Sequence, residues 1–393
     1  MAKRVWWQKP RLRTGEPGDE PRRVTWLELF YDLVFVIVIG QLSHRFSANI
    51  SPAGLLEFAF LFVPAWWVWA AGTYYVEYWE TEDLSIRVVV FALILPVVGL
   101  AVFIHDATGT TLRGYAFSYA IARIVLAVLF FRVGVHDRES RTIAWSYATS
   151  FIVVAAMIAI SPLVDFRARV ALWAMALATE LLMPIAVTTS VERLLPHRRA
   201  TSKLPERFGL FTLIVLGETI VGVFNGLARL HTGAAGIVGV GLLGLSLAFA
   251  VWWVYFDCVA RRPMREGIWW EFVWGYSHLA LLMCIVAIGA SLAPVFAGGE
   301  TALPANLKWM LAGSTALALL VLGLIEIALA PDPRGGRDPR ASVGIKFAAG
   351  AAALALGLVG GTVNAMALLG GLLGIMAFPV GYEARLWVRQ HAT

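Results

Sequence analysis

Stretches of about 20 apolar residues recur along this chain, and no other feature limits its fold so strongly. Such runs lie near residues 27–46, 54–76, 86–104, 113–131, 143–160, 168–189, 208–228, 235–258, 269–296, 307–329, 342–360 and 363–384. Each is close to the ~20 residues needed to cross ~30 Å of hydrocarbon as a helix. A large soluble core is the competing explanation, and composition argues against it. Hydrophobic residues make up 59% of the 393 and charged residues only 15%, where soluble domains carry about 25% charge. The fold class expected is therefore all-α: a polytopic membrane helix bundle of about 12 transmembrane helices. The break at Gly360-Gly361-Thr362 is the slightest of the series, and eleven spans is the alternative it leaves open. Residues 1–25 read as a basic cytoplasmic tail, disordered or loosely docked, ahead of a transmembrane domain over 26–393.

The net charge of +6 does not point to nucleic acid, because of where the cations lie. With the N-terminus inside, 25 of the 32 Lys and Arg face the cytoplasm. Arg45, Arg113, Arg167, Arg169, Arg229 and Lys308 face out, and Arg123 lies within a span. This asymmetry obeys the positive-inside rule and predicts an even number of spans in the cytoplasmic (inner) membrane, with both termini on the cytoplasmic side. Basic loops against anionic lipid account for the charge. Trp and Tyr near span ends, such as Tyr74, Tyr75, Trp269 and Trp270, suit an interfacial belt. The first 25 residues lack the short apolar core of a cleavable signal. Two cysteines, Cys258 and Cys284, sit in apolar runs with no Cys/His cluster, so no metal site or disulfide framework is expected. Walker A, HExxH and GxSxG motifs are missing. No enzymatic activity and no cofactor is expected, and the partners expected are the lipid bilayer and a small ion or molecule.

The informative residues are charges inside the spans, because a carboxylate at the bilayer centre costs ~2.5–3.5 kcal/mol on insertion scales and usually has a task. The first run opens Trp26-Leu27-Glu28-Leu29-Phe30-Tyr31-Asp32. Glu28 and Asp32 are spaced i,i+4 and share a helix face. Glu28 belongs at the interface, where Arg22 or Arg23 would pair with it, and Asp32 lies about one turn deeper. In the seventh run, Arg207, Glu218 and Asn225 fall within ~20° of one stripe, with Gly217, Gly222 and Gly226 allowing close helix approach. Arg123 requires an acidic partner, and Asp32, Glu180 and Glu218 are the candidates. Glu180 precedes Pro184, which removes a helix hydrogen bond. Asp257 is placed to pair with Arg261 or Arg262. His278 is either a hydrogen-bonded packing residue or part of a proton relay. Glu326 and Asn364 have weaker claims. Asp32, Glu218, Glu28, Arg123, Arg207, Glu180, His278 and Asp257 are thus the candidates for ion or proton coupling.

An offset of 186 residues lays Trp66-Trp67-Val68 on Trp252-Trp253-Val254, Leu27 on Leu213, Asp32 on Glu218 and Gly40 on Gly226. Halves of six spans each, over 26–200 and 201–393, would follow a common transporter plan. An offset of 181 instead overlays Leu29-Phe30 on Leu210-Phe211. The block Leu27-Glu28-Leu29-Phe30-Tyr31-Asp32-Leu33-Val34-Phe35, with His44 beyond it, resembles the opening signature of the bacterial low temperature requirement protein A family. Glu206-Arg207-Phe208-Gly209-Leu210-Phe211 with Leu216-Gly217-Glu218 resembles that family's second block, and Asp257 and His278 sit where it tends to have an aspartate and a histidine. The resemblance covers about residues 24–385. It implies a multi-pass inner-membrane protein named for growth in the cold, and it identifies no substrate. The function expected is a secondary transporter or permease coupled through intramembrane carboxylates. The alternatives are a passive cation channel and a non-transporting scaffold that supports growth in the cold. Two-repeat potassium channels with Phe-Ser-Asp in each half offer only an analogy, since Phe30-Tyr31-Asp32 is answered by Phe211-Thr212-Leu213.

Overall fold

A computed structural model describes residues 6–12, 24–80, 83–191, 204–228, 234–259, 262–297, 302–331, 337–358 and 363–391. Twelve long helices follow one another: α1 (Trp26–Ala48), α2 (Pro52–Tyr78), α3 (Leu84–Phe103), α4 (Leu112–His136), α5 (Arg141–Ile160), α6 (Phe166–Val191), α7 (Leu204–Leu227), α8 (Ala234–Cys258), α9 (Ile268–Ala297), α10 (Ala305–Ile327), α11 (Pro339–Leu358) and α12 (Ala365–His391). All twelve are long and apolar enough to cross a membrane. Gly360, Gly361 and Thr362, on which the last break was read, lie outside the described residues, and α11 and α12 are distinct helices on either side of them.

Several helices outrun their apolar cores. α12 continues past residue 384 to His391 through Ala384-Arg385-Leu386-Trp387-Val388-Arg389, because no glycine or proline interrupts good helix formers there. Hydropathy ends where the membrane ends, whereas a helix ends where backbone bonding fails. Proline does not stop these helices either: Pro64, Pro96, Pro184, Pro294 and Pro379 are all internal. Side chains exposed along the helices are largely apolar, among them Val88, Phe91, Leu95, Val102 and Ile152. Helices apolar on their outer faces as well as their inner ones suit a lipid surrounding. This is a multi-pass protein of the lipid bilayer.

The chain divides into two compact units. Unit 1 comprises Met1–Leu42 and Phe60–Arg207. In it α3, α4, α5 and α6 pack as sequential neighbours. Its centre is aromatic and internally bonded: Tyr115 Oη donates to the Leu61 carbonyl at 3.0 Å, and Trp173 Nε1 donates to Ser161 Oγ at 3.0 Å. Residues 6–12 of the tail are docked on this unit. Arg11–Leu12 (β1) pairs antiparallel with Trp79–Glu80 (β2). Arg132 of α4 stacks on Trp7 at 4.0 Å and donates to the Gln8 carbonyl at 2.6 Å. Asp83, the N-cap of α3, accepts from the Gln8 N–H at 2.5 Å and from the Ile86 N–H at 3.1 Å. Burial opposes the Asp83 charge, but the bonds from Gln8, Ser85 and Ile86 and the nearby Arg132 outweigh it and hold the carboxyl below its ordinary value.

Unit 2 comprises Ser43–Ala59 and Phe208–Thr393. α9 is its most enclosed helix, with 83% of its apolar window buried. α9 packs on α10, α10 on α11, α11 on α12 and α12 on α8. At the start of this unit Arg45 pairs with Glu57 at 2.6 Å, and Asn306 Nδ2 donates to the Ile50 carbonyl at 2.5 Å.

Candidate functional site

α1 begins behind Thr25, whose Oγ1 donates to Glu28 Oε1 at 2.9 Å and accepts from the Glu28 N–H at 3.3 Å. This cap aims the Glu28–Asp32 face into unit 1. Arg207, at the first turn of α7, meets both acids. Its Nη2 donates to Asp32 Oδ1 at 3.0 Å, and its Nη1 lies 3.4 Å from Glu28 Oε2. All three are buried, with Asp32 at 0% exposure and Arg207 at 1%. Arg22 and Arg23, the partners expected for Glu28, lie outside the described residues; the guanidinium placed on it is that of Arg207, some 180 residues away.

Trp69 of α2 completes the Asp32 environment by donating Nε1–H to the same Oδ1 at 2.8 Å. Both donors therefore converge on one oxygen. Oδ2 is buried with no hydrogen-bond partner among the described residues. A buried acceptor in this position normally holds a water, an ion or its own proton. Tyr31, one residue earlier, donates to the Val68 carbonyl at 3.1 Å. Its hydroxyl lies within electrostatic reach of Arg207, Asp32 and Arg123.

Arg123 resolves onto Glu180, one of the three acids considered for it. Its Nε lies 2.6 Å from Glu180 Oε1, and both side chains are essentially unexposed. Tyr119, one turn earlier on α4, accepts from Arg123 Nη2 at 2.6 Å and donates to Glu180 Oε2. The Phe151 ring lies 5.2 Å from the guanidinium carbon. Arg123 Nη1 is a buried donor with no hydrogen-bond partner among the described residues. Unit 1 thus carries two polar centres, Glu28–Arg207–Asp32–Trp69 and Arg123–Tyr119–Glu180.

In unit 2, Glu218 sits on α7 at 9% exposure, and no hydrogen bond or ion pair reaches it among the described residues. Asp32 and Glu218 belong to different units, and each is described by itself. His278 is fully buried and bonded at both nitrogens, with Nδ1 2.7 Å from the Trp274 carbonyl and Nε2 3.2 Å from Tyr255 Oη. A neutral ring donating from Nδ1 and accepting at Nε2 satisfies both contacts. Asp257 is half-buried, and its carbonyl accepts from Arg337 Nη2 at 3.4 Å. Arg261 lies outside the described residues, and Arg262 turns to Glu326 at 3.1 Å.

That bond belongs to a charge cluster that sequence reasoning did not assemble. Glu326 of α10 and Glu383 of α12 face Arg262, Arg337 and Lys346. Lys346 Nζ uses all three of its donors, on Glu326 Oε2 at 2.9 Å, Glu383 Oε1 at 3.2 Å and Ser342 Oγ at 2.8 Å. Arg337 Nη2 meets Glu383 Oε2 at 2.5 Å. Burial works against the Arg337 charge, but its bond to Glu383 and the field of Glu383 and Glu326 raise the guanidinium above its ordinary value. The visible clues were Lys346 and Glu326, each inside an apolar run, on helices joined by a short connection.

Comparison with known proteins agrees with this architecture. The sequence profile described as bacterial low temperature requirement A protein (LtrA) matches residues 23–378. An uncharacterized protein of Rhizobium meliloti (strain 1021) is 29% identical over 286 residues, covering 68% of each chain. The profile takes in nearly all twelve helices and both acidic blocks around Asp32 and Glu218, and the chain belongs to the bacterial low temperature requirement A family.

Proposed function

We propose that this protein is a non-enzymatic secondary transporter or permease of the cytoplasmic membrane, with both termini inside, that couples to protons or small cations through intramembrane carboxylates. The observation that carries the reading is Asp32. It is fully buried, it shares the Arg207 guanidinium with Glu28, and its Oδ2 has no donor among the described residues. Such an oxygen takes a proton or a cation at little structural cost, because Arg207 and Trp69 already hold Oδ1. Gain or loss of that charge changes the pull on Arg207, and through it on α7. Alternating access requires a coupling of this kind between occupancy and helix position.

The test is charge movement in full-length protein reconstituted on a solid-supported membrane, with jumps in H⁺, Na⁺ or K⁺. The wild type is expected to give a transient for at least one of these ions. Asp32→Asn is expected to reduce it at least tenfold while eluting as a monodisperse species. A wild type silent to all three ions overturns the proposal, as does an Asp32→Asn protein with an unchanged transient. A sustained, uncoupled current would instead mark a passive channel.

A further inference from the structure

We propose that Glu218 is a proton-only site: a carboxyl in the middle of a membrane span that binds and releases H⁺ and holds no metal cation. The inference rests on the reading of the protein as a carboxylate-coupled transporter and narrows its coupling ion in unit 2. Three observations support it.

The first is depth. Glu218 is the fifteenth of the 24 residues of α7, which places it ~4 Å along the axis from the helix centre. An ionised carboxylate here is costly unless something answers its charge.

The second is isolation. No hydrogen bond, ion pair or neighbouring charge acts on the Glu218 carboxyl among the described residues. Its surroundings explain why. On one side α7 is pressed against α9: a Cβ on Gly222 would strike the Gly289 backbone, and a Cβ on Gly289 would lie 2.9 Å from the Thr219 Cα and 3.1 Å from the Glu218 carbonyl oxygen. Thr219 spends its hydroxyl on the Ile285 carbonyl at 3.3 Å. On α9 the nearest titratable group is the Cys284 thiol, and His278 lies ~16 Å further along the helix from Gly289, bonded at both nitrogens. α8 approaches α7 through Gly244 against Val223. Its acid, Asp257, is thirteen residues from Gly244, ~20 Å along the helix. On α7 itself Arg207 is eleven residues back, ~16 Å away.

The third is the ligand count. A sodium, potassium or calcium ion requires about six oxygens around it. Among the described residues no side chain bonds to the Glu218 carboxyl and the neighbouring Thr219 hydroxyl is turned to the Ile285 carbonyl, so Glu218 brings only its own two oxygens. A proton needs no further ligand. A Cβ built on Gly217, beside it, meets nothing within 4 Å, and Ile220, Val221 and Phe224 are exposed nearby. The carboxyl is therefore within reach of a small membrane-soluble reagent.

Dicyclohexylcarbodiimide tests this directly, because it adds a neutral carboxylic acid across its C=N bond. The acid proton goes to nitrogen, the carboxylate oxygen bonds carbon, and nothing leaves. The full-length protein in liposomes is labelled across a pH series, and its peptides are mapped by mass spectrometry. Label on the Glu218 peptide is expected at low pH, falling about tenfold per pH unit once the acid ionises. It should be absent in Glu218→Gln and unchanged when choline chloride is replaced by NaCl or KCl. Glu218→Gln mimics the neutral acid, so its melting temperature should match that of the wild type. Protection by Na⁺ or K⁺ would overturn the proposal, as would an unlabelled Glu218 at every pH. Labelling that persists in a protein giving no charge movement would sink the transporter reading and leave this site standing. Charge movement without labelling would do the reverse.

Discussion

Asp32 illustrates how far residue-scale reasoning reaches in a membrane protein. Its depth and its i,i+4 relation to Glu28 follow from the primary structure, because helix geometry and the cost of a buried charge are both local. Its partners do not. Arg207 lies 175 residues away, and nothing local selects it over Arg123, which pairs with Glu180. Trp69 was hidden in the run Trp66-Trp67-Val68-Trp69, where an indole reads as apolar bulk until its N–H is seen to donate. That bond has a measurable role. Trp69→Phe keeps the ring and removes one of the two donors on Oδ1, a hydrogen bond to a charged group worth ~1.5–3 kcal/mol. The variant is expected to melt at a lower temperature in detergent. In the charge-movement assay, its ion dependence should shift more than its maximal amplitude, since the carboxylate remains but is less firmly held.

At the scale of the element, α7 shows what a periodicity leaves open. Arg207, Glu218 and Asn225 share one stripe of the helix, yet Arg207 and Glu218 are buried while Asn225 is exposed. A periodicity places residues on a common face, but the neighbours decide how much of that face is covered at each level. The glycines were the better guide. Gly222 meets Gly289 of α9 so closely that neither tolerates a Cβ without backbone movement. In lipid such close approach replaces the hydrophobic effect as the force holding helices together. Gly289→Ala should therefore destabilise the protein by about 1–3 kcal/mol through overpacking, read as loss of thermal stability. Gly374→Ala, where a Cβ meets nothing within 4 Å, should be near neutral.

For the whole molecule, class and helix count were legible because the bilayer sets a length that each run must meet. That Ser43–Ala59 groups with Phe208–Thr393 was not, since it depends on which helices touch. Nor was the charge cluster of Arg262, Glu326, Arg337, Lys346 and Glu383, whose members come from three helices and two connections that only the packing brings together. Removing Lys346 takes a cation from both buried acids and leaves Glu326 and Glu383 on Arg262 and Arg337 alone, at a cost approaching the ~3–5 kcal/mol of a broken buried pair. Lys346→Met should lower the melting temperature sharply, and Lys346→Met combined with Glu383→Gln should recover part of the loss, because the pair cancels. A recovery no greater than additivity would show that the two do not act as a unit. The cluster also sets an order in time. Its cations enter the growing chain at positions 262, 337 and 346, but Glu383 arrives only with α12. Until that helix leaves the ribosome and enters the bilayer, Glu326 alone answers three positive charges. The nascent protein is electrically unfinished up to its last span, and a chain cut short before α12 carries that surplus as a mark of incomplete synthesis.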